Sequence, residues 1–393
     1  MNKIVNVRFI AILVALCGWY GCNNDNASKG CEQFATKWHR FNLKAIQKTV
    51  KNKLMAEQLN TLFADPARQF SGQVLVAMEG KILFEGYYGY ANKEKNVPMS
   101  DTTGVHIASL SKPFTGMAIL KLHELKLLSI QDPITKYFPE FPYQDIRIES
   151  LLKHRSGLPN YAYFADSLWR DSTSLMSNEQ MFKLLCSRKP QLSHAPNAHF
   201  CYSNTNYVIL AMIVEQVTKM KYEHFLRCAI FEPFGLKNTF IHSPKEKLEL
   251  PSNGSLNYWS KWIAFKMQFT DGTYGDKNIY STVRDLYRWD RALREKNAFL
   301  NDSTLQKAYT PYSNERPGVK NYGLGWRLLV YPQQVVVYHN GWWHGNNATF
   351  YRFQKADVTI IILGNKYTRT VYNIHPILAI INDSNLPYEA DSE

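Results

Sequence analysis

Three short segments carry residue types from which a nucleophilic site can be built: Ser109-Leu110-Ser111-Lys112, Tyr202-Ser203-Asn204 and His339-Asn340-Gly341. A serine hydroxyl at neutral pH is a poor nucleophile and needs a base within hydrogen-bond reach. Free lysine (pKa about 10.4) and free tyrosine (about 10) are almost wholly protonated at pH 7. An ammonium beside a phenol in a buried site settles this by mutual adjustment, the proton being shared or shifted between them. Each segment alone is cheap. Ser150-Leu-Leu-Lys153 repeats the first spacing, and Tyr90-Ala-Asn92, Tyr312-Ser-Asn314 and Tyr338-His-Asn340 repeat the second; only the His-x-Gly pattern is single. Their order and their flanks are what join them.

Each segment sits at the edge of a periodic element. Phe114, Met117, Ala118, Leu122 and Leu125 follow Lys112 at helical spacing, with Pro113 in the first turn of that amphipathic run. Ser109 and Lys112 then share one helix face, with Ser109 at the positive end of the dipole, which favours a developing oxyanion. The almost wholly apolar stretch Tyr207–Val214 follows Asn204, and the β-branched run Val335-Val336-Val337 leads into His339. Gly72–Ala77 and Ile82–Tyr88 read as a hairpin around Glu79-Gly80-Lys81. Four more strand-like runs come late: Gly325–Tyr331, Gln334–His339, Ala348–Phe353 and Val358–Leu363. The long helix-patterned region of about 109–300 lies between. Strands at both ends and helices in the middle predict an α+β chain in which N- and C-terminal segments close one antiparallel sheet, flanked by helices, with an inserted all-helical region.

Other chemistries lack their residues. His123-Glu124 does not continue to a second histidine, no His-x-His-x-Asp occurs, and His194 and His199 have no helix-compatible ligand spacing, so no metal and no cofactor is expected. There is no G-x-S-x-G elbow and no phosphate-binding glycine loop. Lys plus Arg outnumber Asp plus Glu by 46 to 33, a balance of +13, but the excess is spread along the chain without a basic run. It reads as a bias toward anionic surfaces or ligands, not as nucleic-acid binding.

The first 22 residues read as an export signal: Lys3 and Arg8, then the apolar run Phe9–Leu16, then Cys17 to Cys22 with the small Gly21 before Cys22. Eight apolar residues cannot span about 30 Å of hydrocarbon. Gly21-Cys22 resembles a bacterial lipoprotein cleavage site with Cys22 as the lipidated N-terminus, although Trp19 stands where leucine is usual. Ordinary cleavage and a retained anchor are the alternatives. Expected boundaries are therefore 1–22 signal, 23–65 spacer and first helix, 66–380 catalytic domain and 381–393 tail, on a protein tethered to a membrane facing the periplasm. Four cysteines remain after cleavage, at 31, 186, 201 and 228, in a compartment that permits disulfides, with no spacing that assigns a pairing.

Taken together, the segments resemble the serine β-lactamase/penicillin-binding-protein family, in the branch of class C β-lactamases and D-Ala-D-Ala carboxypeptidases (the peptidase S12 group). His106–Thr115 resembles that family's nucleophile segment. Leu127–Pro133, Tyr137–Glu140, Leu151–Pro159 and Ser281–Trp289 resemble further stretches, so the likeness runs from about residue 70 to 365. It implies a β-lactamase/transpeptidase-like fold and a serine hydrolase working through an acyl-enzyme. By that resemblance Ser109 attacks the carbonyl, Lys112 and Tyr202 manage the proton, Asn204 orients the substrate amide, and the N–H groups of Ser109 and Trp342 form the oxyanion hole. Which of Lys112 and Tyr202 is the acylation base stays open. His339 stands where the family's K-T-G lysine does, with Gly341 as its glycine, so a fixed charge for a substrate carboxylate is lost unless His339 is protonated. That ranks small esters and D-amino-acid peptide amides above β-lactams. Trp342 and Trp343 replace small residues, and Gly275-Asp276-Lys277-Asn278 stands where relatives are glycine-rich. Tyr161, Tyr163 and Phe164 are either a rim selecting acyl groups or surface packing. A non-catalytic binding lipoprotein on the same fold is the alternative function.

Overall fold

The computed structural model describes residues 50–166, 169, 174–242, 252–381 and 386. The signal segment with Cys22, the spacer up to residue 49, Cys31 and nearly all of the tail lie outside them. Helix α1 (Val50–Ala64) leads into the hairpin β1 (Gly72–Met78) and β2 (Lys81–Tyr88), then the pair β3 (Tyr90–Asn92) and β4 (Val97–Pro98), then β5 (Val105–His106). Helices α2 (Ser111–Glu124), α3 (Ile148–Leu152), α4 (Tyr161–Phe164), α5 (Asn178–Arg188), α6 (Asn204–Thr218) and α7 (Tyr222–Leu226) follow. After β6 (Phe240–Ile241) and β7 (Ile279–Ser281) come α8 (Val283–Arg294) and α9 (Asp302–Ala308). The chain ends in β8 (Lys320–Tyr322), β9 (Arg327–Tyr331), β10 (Gln334–Trp343), β11 (Asn346–Phe353), β12 (Val358–Gly364) and α10 (His375–Ile381).

The main sheet runs β2-β1-β12-β11-β10-β9-β8, antiparallel throughout. The last strand pairs with the first from Gly72 opposite Gly364 to Met78 opposite Val358. Every residue of β11 and β12 is buried, because both sheet faces are covered. Val74, Val76, Ile360 and Ile362 face a layer of α1 and α10, through Met55, Leu59, Phe63, Ile377 and Ile381. Leu75, Ile361, Leu363 and Phe350 face the larger core of α2, α6 and α8. That two-sided burial explains why Val358–Leu363 reads as an unbroken apolar run and not as an alternation.

A buried ionic cluster ties α8 to the sheet. Asp290 accepts from Arg352 Nε at 2.7 Å, Thr359 Oγ1 at 2.7 Å and Arg294 Nε at 2.9 Å. The helical region also carries strands too short to show a period: β5, β7 and β6 form a small sheet in that order. Helix α2 differs from the amphipathic reading. It is buried all round from Ser111 to Leu122, being the central helix of the domain. Of the cysteines described, Cys186 and Cys201 are free thiols and Cys228 is in a disulfide.

Candidate active site

Ser109 lies on an elbow. Strand β5 ends at His106, Ala108 takes a left-handed φ of +51°, and a 3-10 turn over Ala108–Leu110 feeds α2. A left-handed alanine costs on the order of 1 kcal/mol, and the surroundings hold it there. The Ala108 N–H donates to His106 Nδ1 at 3.2 Å, and His106 Nε2 meets Asn278 Oδ1 at 3.0 Å. Burial pushes the His106 pKa down to about 4, against the pull of the Asn278 bond, so the ring stays a neutral acceptor for the elbow. Ser109 is therefore just ahead of the helix, one turn before Lys112, rather than inside it.

Lys112 is fully buried. Its Nζ donates to Ser109 Oγ at 2.9 Å and to the Asp276 carbonyl at 3.0 Å, and lies 4.9 Å from the Tyr202 ring centroid and 5.8 Å from that of Tyr207. Aromatic faces stabilise a desolvated ammonium without neutralising it. The nucleophile, the amine and the phenol ring thus converge from the elbow, from α2 and from the loop before α6. Asn204 opens α6, and its Oδ1 is buried with no hydrogen-bond partner among the described residues. That acceptor is open to a substrate N–H. In the Ser150–Lys153 repeat the two side chains are engaged apart from each other: Ser150 Oγ donates to Asn197 Oδ1 at 3.1 Å, while Lys153 pairs with Glu149 at 3.3 Å and lies 5.0 Å over the Tyr312 ring.

Strand β10 closes the other side. A β-carbon on Gly341 would lie 2.2 Å from the Ile107 carbonyl oxygen, so only glycine lets β10 run against the elbow. The next residue, Trp342, brings its backbone to the same seam. Its indole turns outward, 53 % exposed, and donates to the His344 carbonyl at 3.0 Å. Trp343 donates to Asp271 Oδ1 at 2.6 Å. His339 is buried. Its Nδ1 lies 2.6 Å from the Asn340 carbonyl, which can only accept, so the proton sits on Nδ1 and Nε2 faces the Tyr322 hydroxyl at 3.2 Å as an acceptor. Burial first, then Arg327 and Lys112, push the His339 pKa well below its ordinary value. It is neutral at physiological pH, and the third segment offers no fixed positive charge.

Several contributors escaped the sequence reading. His154 packs 4.2 Å from the Tyr202 ring, and its Nδ1 accepts from the Ser203 N–H at 3.2 Å. Burial, then Lys112, His339 and Arg327, hold it neutral. The Arg327 guanidinium lies 5.4 Å from the centroid of the same Tyr202 ring, and the Tyr322 hydroxyl meets His339 Nε2. His154 lies within the stretch Leu151–Pro159, and no spacing in the sequence ties it to Tyr202. Tyr161 is neither rim nor surface: it is fully buried, whereas Tyr163 is 80 % exposed and Phe164 packs against the core. Among the described residues no group of three or more His, Cys, Asp or Glu could hold a metal ion.

The family profile described as Beta-lactamase matches residues 59–380. Penicillin-binding protein 4* of Bacillus subtilis is 32% identical over 331 residues, 80% of this chain and 73% of that protein. The crystal structure of D-amino acid amidase from Ochrobactrum anthropi superposes with a TM-score of 0.68 at 22% identity, covering 85% of this chain and 99% of that one. EstCE1, a hydrolase with promiscuous acyltransferase activity, superposes at 0.71 with 18% identity, covering 85% and 99%. At these identities the two superpositions speak for the fold.

Proposed function

The chain belongs to the β-lactamase family of serine hydrolases, and on that premise we propose that it is an envelope-anchored enzyme acting through an acyl-enzyme on a small ester or a D-amino-acid-type peptide amide. The observation that carries the reading is the buried Lys112 amine 2.9 Å from the Ser109 hydroxyl. Ser109 Oγ attacks the substrate carbonyl carbon while its proton passes to the site's base. The carbonyl π pair moves to the oxygen, which faces the N–H groups of Ser109 and Trp342. Losing one such donor typically costs about 3 kcal/mol of barrier stabilisation. Collapse expels the alcohol or amine, which takes a proton from the Lys112–Tyr202 pair. Water then repeats the attack on the ester of Ser109 and frees the acid.

The neutral His339 supports this substrate class. The family's third segment grips a substrate carboxylate with a cation, and burial leaves His339 without that charge, the nearby guanidinium of Arg327 being supplied by β9 instead. Esters and amides lacking an adjacent carboxylate therefore rank above β-lactams, whose hydrolysis is a secondary activity. A D-amino acid amidase and a hydrolase with promiscuous acyltransferase activity share the fold. Anchoring rests on Gly21-Cys22 and its apolar approach. No helix among the described residues is long and apolar enough to cross a membrane.

A fluorophosphonate probe tests the chemistry. The wild type gains the mass of one phosphonyl group and Ser109→Ala does not. A panel of aryl esters, D-Ala-terminated peptides and a chromogenic cephalosporin then ranks substrates. A wild type unreactive toward every acyl donor is a binding lipoprotein on this fold. Intact-mass measurement of the membrane fraction tests the anchor: a mature chain starting elsewhere than Cys22, without acyl groups, removes it.

A further inference from the structure

A second buried lysine, Lys277, stands one residue beyond the backbone carbonyl that Lys112 takes. Gly275, at φ +96°, packs so closely on α6 that a β-carbon would lie 2.5 Å from the Tyr207 carbonyl oxygen and from the Ala211 methyl. This presses the backbone of Gly275 and Asp276 against α2. There two side chains one turn apart take successive carbonyls: Thr115 Oγ1 donates to Gly275 O at 2.6 Å and Lys112 Nζ donates to Asp276 O at 3.0 Å. The orientation of the Lys112 amine toward Ser109 is thus set by the peptide at 275–276.

The side chains of that segment are buried and joined. Lys277 Nζ donates to Tyr161 Oη at 2.6 Å and to Thr273 Oγ1, and lies 3.6 Å from Asp276 Oδ2. Tyr161 Oη donates to Asp276 Oδ2 at 3.0 Å. Lys277 also sits 4.9 Å over the Trp343 ring, beside the end of β10. Tyr161 reaches the Asn204 side of the site, its N–H donating to Thr205 Oγ1 at 2.8 Å. Asp276 Oδ1, buried, has no partner among the described residues. A carboxylate so placed needs a counter-ion, and two ammonium groups flank residue 276: Lys277 on its side chain and Lys112 on its carbonyl. Were Lys112 to serve, it would be held charged and lose its capacity to take a proton.

We propose that Asp276 and Lys277 are positioning residues for the proton exchange between Ser109 and Lys112: their backbone aims the Lys112 amine, and Lys277 satisfies the Asp276 carboxylate so that Lys112 does not. The inference rests on the acyl-enzyme reading above. Other groups face the two lysines without taking this part. Tyr202, Tyr207 and the neutral His154 and His339 surround Lys112. Asp271, near Lys277, is engaged by Trp343 and by His344 at 3.0 Å.

The test is the pH dependence of Ser109 phosphonylation, followed by intact mass on the mature chain, in Lys277→Met, Asp276→Asn and the double variant. Removing Lys277 leaves the carboxylate to Lys112, which then keeps its proton to higher pH. The acidic limb moves up by about one pH unit, making labelling about tenfold slower at neutral pH. Removing the carboxylate leaves Lys277 beside Lys112, so the limb moves down. The double variant, a neutral exchange of a buried pair that folds typically tolerate, returns the limb to the wild-type position. Should Lys277→Met fail to fold, the Asp276→Asn shift and its cancellation in the double variant decide. Equal slowing at every pH, or shifts of one sign in both single variants, overturns the proposal while leaving the hydrolase reading intact. A wild type that is never phosphonylated overturns both.

Discussion

Gly341 and Ile107 meet main chain to main chain: the space a side chain on residue 341 would need is occupied by the Ile107 carbonyl oxygen. The seam joins the nucleophile elbow to β10 and sets where the backbone of Trp342 stands relative to Ser109. Gly341→Ala must therefore push β10 and the elbow apart. Acylation of Ser109 falls by two or more orders of magnitude, measured as kcat/KM on an aryl ester, while the thermal transition moves by only a few degrees. Near-wild-type activity in this variant would show that the seam does not set the site.

The proton machinery gives a second expectation. Lys112→Ala and Tyr202→Phe each lower turnover by two or more orders of magnitude. Unequal losses would tell which group takes the serine proton, and a nearly full rate in either would move that task to another acceptor.

The repeated Ser-x-x-Lys is a control. Ser150→Ala deletes one hydrogen bond to Asn197, worth about 1 kcal/mol, and leaves hydrolysis intact. Loss of activity in a folded variant would place the nucleophile at the wrong serine.

Stability at low pH depends on Asp290. Burial alone would raise its pKa, but the guanidiniums of Arg294 and Arg352 hold the carboxyl below the usual range. A depressed folded pKa contributes stability above the unfolded value of about 3.9 and loses it as pH falls through the folded value. Asp290→Asn leaves two guanidiniums short of their counter-ion at the interface of α8 and the sheet. It should cost about 3–5 kcal/mol at neutral pH and make denaturant stability less sensitive to acid below about pH 4. A variant as stable as the wild type at pH 7 would contradict the role given to this cluster.

Much of the architecture was legible because periodicity reports burial. The hairpin at 72–88, the four late strands and the apolar core of α6 follow from side-chain type alone, whereas the two covered faces of β12 emerge only in the fold. Strands of two or three residues such as β5 and β7 have no period to read, yet β5 is what leads into the Ser109 elbow. Tyr161 reads as rim or surface packing in the sequence and is buried in the fold, because aromatic residues after a Gly-Leu-Pro loop carry no sign of which way they turn.

By itself the sequence determined the chemical inventory: a serine and a lysine three apart before a helix, a tyrosine and asparagine before another, and a glycine after a β-branched run. Residue types and spacing are local properties, and local backbone preference is enough to place them on elements. Only the tertiary structure decided in which of two Ser-x-x-Lys pairs the amine meets its own serine, that His339 is neutral, and that Lys277 is buried one residue beyond the carbonyl that Lys112 takes. Those outcomes depend on desolvation and on distances between segments 70 to 230 residues apart, and both quantities exist only once the chain is folded.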